Sequence, residues 1–89
     1  MATSHQIEDE IQWDGKSLTV WVVTDRGRIR CEIPRETIHE IPPFSDAISR
    51  EIDRDRREIV DRLCPILLAK VAESAENFVQ LHPSDLNPA

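Results

Sequence analysis

Tyrosine is absent from this chain, and its two glycines, Gly15 and Gly27, are too few for a glycine-rich loop that cradles phosphate. Basic surplus is missing as well. Lys and Arg total 11 against 17 Asp and Glu, for a net charge of −6. The arginines are interleaved with acids, so no open basic stripe forms. This argues against a general DNA or RNA binder and makes nucleic acid an unexpected partner. No apolar run approaches the ~18 residues of a membrane span. The opening "MATSHQIEDE" lacks the basic-then-apolar order of a secretion signal, so a cytoplasmic setting without membrane attachment is expected. Metal spacing is lacking too. Cys31, Cys64, His5, His39 and His82 form no CxxC or HxxxH pattern, and no cofactor is expected.

What is present reads as one globular domain over residues 1–89, with 1–6 and 87–89 frayed. Apolar residues make up 39% and charged residues 31%, a folded rather than disordered composition. A domain of this size buries only roughly 60–65% of its unfolded surface, so an oligomer interface would help it. Cys31 and Cys64 read as small hydrophobes of a reducing compartment.

The segment "SLTVWVV" carries the strongest strand signal, being β-branched and aromatic. "RIRCEI" returns with strict alternation, placing Ile29, Cys31 and Ile33 on one face and Arg28, Arg30 and Glu32 on the other. The sheet therefore has one wet side. Two registers compete. One puts Trp21 opposite Cys31 in the core. The other pairs Val20 with Cys31 and sets Trp21 beside Arg30; it gives the purer apolar face and is preferred. Upstream, "IQW" is a short strand or an extended arm, and "WDGKS" is a turn. "PRETIHEI" forms a short helix with Pro34 at its first position and Ile38 and Ile41 inward, ended by Pro42 and Pro43. A long helix is expected from a Ser45 N-cap to about Glu73. "NFVQLH" is a last strand, with Phe78 and either Gln80 or the Val79 and Leu81 pair facing inward. The fold class is α+β: a small antiparallel sheet of hairpin and C-terminal strand, with one short and one long helix on one face.

On a helical wheel Ile48, Ile52, Ile59, Leu63 and Ile66 cluster within about 60°, giving a core-facing stripe. Asp46/Arg50, Asp53/Arg57 and Glu58/Arg62 place an acid four residues before an arginine, as a self-neutralised wet face would. Val60, Cys64, Leu68 and Val71 make a second apolar stripe roughly 160° from the first. Pro65 lacks the donor for the Asp61 carbonyl, so a kink is expected there.

The order of "WD", the Val20–Val22 strand and "RIRCEIPRETI", then an arginine-rich helix and a closing strand before Asp85-Leu86, resembles the small bacterial family called domain of unknown function 1488. The likeness covers about residues 11–86. Pro34, where a capping serine is expected, and the Pro42-Pro43 pair depart from the family pattern. The resemblance implies a small α+β domain and no activity.

Catalytic residues do not converge in the sequence. A Cys31–His39 nucleophile pair would need an activated thiolate in a cleft, and His82, Ser84 and Asp85 read as turn chemistry. The expectation is a non-catalytic protein-interaction module. Its candidate surface is Val60, Cys64, Leu68 and Val71, covered by a second copy, by an unidentified protein, or internally by Ile38, Ile41 and Phe44. A thiol-dependent or redox-responsive protein using Cys31 or Cys64 is the alternative. A weaker patch, Trp21 with Arg28 and Arg30, suits a peptide or a stacked single-stranded base.

Overall fold

The computed structural model describes residues 6–86. The other residues expected to fray, 1–5 and 87–89, lie outside that range; Gln6 opens the first strand. Strand β1 is Gln6–Trp13, β2 is Ser17–Thr24 and β3 is Gly27–Pro34. Helix α1 spans only Arg35–Ile38, and Pro42–Phe44 is a 3-10 turn. Helices α2 (Ser49–Arg54) and α3 (Arg56–Glu73) follow, then β4 (Phe78–Gln80) and a 3-10 turn at Pro83–Leu86. The sheet order is β1-β2-β3-β4. The α+β class stands. The sheet, however, is mixed: β1, β2 and β3 are antiparallel neighbours, while β4 runs parallel to β3. The helices between β3 and β4 form the long crossover that a parallel pair requires.

Turn chemistry sets the first two connections. At Asp14 the carboxylate accepts the amides of Lys16 (2.8 Å) and Ser17 (2.9 Å), while Gly15 takes a φ of 94°. The amides of Ser17 and then Lys16 hold that carboxyl below its usual range. Gly27, with φ 111°, closes the hairpin. Thr24 Oγ1 accepts the Arg26 amide (3.0 Å) and donates to the Gly27 carbonyl (3.1 Å). The ladder pairs Val20 with Cys31 and Trp21 with Arg30, the register favoured by the purer apolar face.

Strand β1 is longer than the "IQW" core and carries a bulge. Ile7 pairs with Val22 and Ile11 with Val20, so Glu8, Asp9 and Glu10 stand opposite the single residue Trp21. Two extra residues preserve the period-two alternation. Ile7, Ile11 and Trp13 therefore all pack toward the core.

The long helix expected from Ser45 is two helices. Ser45 and Asp46 lie in a turn, and α2 begins at Ser49 after Ile48, whose amide donates to Glu51 Oε1 at 3.1 Å. The two helices part at Asp55 (φ −102°, ψ 17°), and Pro65 lies inside α3. Arg56 stabilises the junction. Its guanidinium donates to the Ile11 carbonyl on β1 (2.9 Å), the Asp53 carbonyl (2.7 Å) and the Asp53 carboxylate (3.2 Å). Trp13 Nε1 donates to Ser49 Oγ (2.7 Å), fixing the start of α2 to the end of β1.

Helix α3 rests on β1 and β2, and α1 on β3. Ile59, Val60, Leu63, Leu67 and Val71 are its buried residues. They join Leu18, Val20, Val22, Ile29, Cys31 and Ile33 of the sheet, with Ile38, Ile41 and Phe44, in one core. Arg26 ends α3 from the hairpin, donating to the carbonyls of Ser74 (2.6 Å) and Val71 (3.0 Å). Thr37, fully buried, donates to the Leu81 carbonyl (2.8 Å) and ties α1 to the chain after β4.

Candidate functional site: the open face of the sheet

Because the helices cover one face, alternation sends every second strand residue to the other. On β2 these are Trp21 and Val23, on β3 Arg28, Arg30 and Glu32, and on β4 Phe78 and Gln80. Val79 and Leu81 face the core, which places Phe78 outside, 45% exposed. Trp21, Arg30 and Phe78 occupy one cross-strand row. The Arg28 guanidinium lies 4.4 Å over the Trp21 ring and is gripped by both oxygens of Glu8, at 2.8 and 3.0 Å. The β1 bulge brings Glu8 to that position. Arg30 sits 5.7 Å from the Phe78 ring and 3.6 Å from Glu32. The face is thus aromatic and aliphatic, crossed by two arginine–glutamate pairs.

The residues expected to make an interface on the helix are divided. Val60 (1% exposed) and Val71 (fully buried) are core, so they form no surface row. Cys64 and Leu68 are half-buried at the flank of α3. Leu67 accounts for the difference: at about 100° per residue it lies between the two stripes and merges them into one broad face. Ile48, expected in the core stripe, is 49% exposed because it precedes α2. Of the weaker patch, Trp21 and Arg28 are brought together, whereas Arg30 turns to Phe78 and Glu32. Sequence reasoning missed Phe78, Val23 and Glu8 as surface partners. The alternation of "FVQL" was the available signal for Phe78.

The thiols differ. Cys31 is fully buried, its Sγ donating to the Ile29 carbonyl at 3.8 Å, and burial pushes it up to about 11. An activated thiolate would need the opposite shift. His39 Nε2 is engaged with the Ala47 carbonyl (3.0 Å) rather than with sulfur. Both cysteines are free. The His82–Asp85 segment is a turn, with the His82 amide donating to Asp85 Oδ2 (2.8 Å). Burial alone would raise the Asp85 carboxyl, but Lys70 at 2.7 Å and the His82 amide together hold it below its usual range. A groove of about 500 Å³ beside that ion pair is floored by Pro65, Ile66 and Ala69. Among the described residues no helix is long and apolar enough to cross a membrane.

No protein-family model, curated protein or solved structure matches the chain.

Proposed function

We propose that this chain is a non-catalytic interaction module that receives a protein surface on the open face of its sheet. One observation carries the reading. Among the described residues, Val23, at 37% exposure, and Phe78, at 45%, are two of the three exposed large apolar side chains, and both stand on that face beside Trp21. The cytoplasm of a bacterium, and kinship with the domain of unknown function 1488, belong to the same proposal; the kinship rests on motif order and brings no activity. A photoreactive side chain at Val23 should crosslink a bound protein, and one at Ala72, exposed on α3, should not. Equal capture from both positions would remove the reading.

Single-stranded nucleic acid is the second reading, and the Trp21–Arg30–Phe78 row favours it, since aromatic side chains on a sheet can stack bases. It fits less well. Arg28, held by Glu8, already covers the Trp21 ring, and the chain carries −6. Quenching of tryptophan fluorescence by a single-stranded oligonucleotide at low salt would raise this reading above the first. A thiol-based role would rest on Cys64, the more exposed of the two cysteines.

A further inference from the structure

We infer that the occupant of the open face is a second copy of this chain, packed sheet to sheet about a two-fold axis. The inference rests on reading that face as the binding surface. Charge selects the occupant. The molecule carries −6, so two copies repel at most approaches. On the open face Arg28 and Arg30 pair with Glu8 and Glu32, and with Glu10 beside Val23 the patch carries only a small part of that negative charge. It is also self-complementary. A two-fold axis can set the arginines of one copy against the glutamates of the other, because an isologous contact uses the same patch twice. The arginine side chains remain about half exposed, at 52% and 50%, and each keeps N–H donors for a second carboxylate beside the glutamate it already meets. Phe78 and Val23 would lose their exposed area to the same residues' neighbours across the axis.

Area sets the strength. Three eight-residue strands of roughly 26 Å and the three-residue β4 of roughly 10 Å, at about 4.8 Å spacing, present about 420 Å² per copy. Two copies would bury about 850 Å², below the ~1,000 Å² of a specific interface and in the range of weak, transient contacts. The dimer should therefore be weak, populated at hundreds of micromolar and dissociated at a few micromolar. Aligned sheets about 10 Å apart would bury the Trp21–Arg30–Phe78 row near the centre.

Sedimentation equilibrium of the full chain from 10 μM to 1 mM tests this. Wild type should shift from monomer to dimer across that range. Phe78→Ser and Arg30→Glu should each weaken association at least tenfold, with the circular dichroism spectrum unchanged. Arg30→Glu mixed with Glu32→Arg should associate better than either alone, because an acidic face then meets a basic one. Leu68→Glu, on the α3 flank, should leave association unchanged. A monomeric wild type at 1 mM overturns the inference, as does association lost in Leu68→Glu and kept in Phe78→Ser. Crosslinking from Val23 separates the two levels of the argument. Capture of the chain itself supports both. Capture of a different protein by a chain monomeric at 1 mM overturns the self-association and leaves the open face as the binding surface. No capture from Val23, with capture from Leu68, overturns both.

Discussion

Arg56 and Arg57 are neighbours in a charged run, yet Arg56 joins three acceptors across two elements while Arg57 stays on the helix surface, 3.7 Å from Asp61. Arg56→Lys keeps the charge but loses the planar fork. It should cost about 1–2 kcal/mol in urea unfolding, since one ammonium cannot reach Ile11 and Asp53 together. Of the acid–arginine pairs read from spacing, Glu58–Arg62 forms at 3.3 Å. Asp53 receives Arg56, which donates to its carboxylate (3.2 Å) and to its carbonyl (2.7 Å). The helix break at Asp55 has no sequence marker: Asp55 carries neither glycine's freedom nor proline's constraint. The thiols give a second test at this scale. Native protein should release one equivalent of a thiol reagent's signal at pH 8, from Cys64, and two after denaturation. Burial raises the Cys31 thiol from 9.0 to about 11, so the stability it contributes is complete below pH 9 and is lost as pH climbs toward 11. A stability profile unchanged between pH 8 and 11 would contradict that burial.

Adjacent positions on α3 separate the broad-face description from a two-stripe one. Leu67→Ala should cost about 2–5 kcal/mol, as a fully buried leucine does, and Leu68→Ala less than about 1 kcal/mol. Comparable losses at both would restore the second stripe. Pro65 is exposed and interior to α3, so Pro65→Ala should raise stability, by up to ~3 kcal/mol, through the restored donor to Asp61. A lower denaturation midpoint would mean that packing needs the proline. The strands were more legible than the helices. β-branched runs and strict alternation located β2 and β3, and the purity of the Leu18–Val20–Val22 face selected their register. The extent of β1 was not legible, because the "EDE" within it reads as loop until the bulge opposite Trp21 assigns it. The direction of β4 was not legible either. Alternation fixes which side chains face in and is silent on strand polarity.

At the scale of the molecule, one covered and one open sheet face follow from "RIRCEI" alone, and this part of the candidate site was readable in advance. Its aromatic content was not, since Phe78 reaches the patch only through the pairing of β4 with β3. That pairing also completes the core. A chain ending at Glu76 would lack Val79 and Leu81 and the acceptor of Thr37. It should lose its sharp thermal transition and bind a hydrophobic dye. A cooperative melt in the truncated chain would show that β4 is dispensable.

The parallel strand also has a consequence for synthesis. β3 ends at Pro34, but α3, which covers β1 and β2, is complete only at Glu73. At roughly 5–20 residues per second, the emerging meander presents its valine, isoleucine and leucine side chains without a lid for roughly 2–8 s. During that interval the acids of the β1 edge, Glu8 and Glu10, are the built-in protection against pairing with a neighbouring nascent chain.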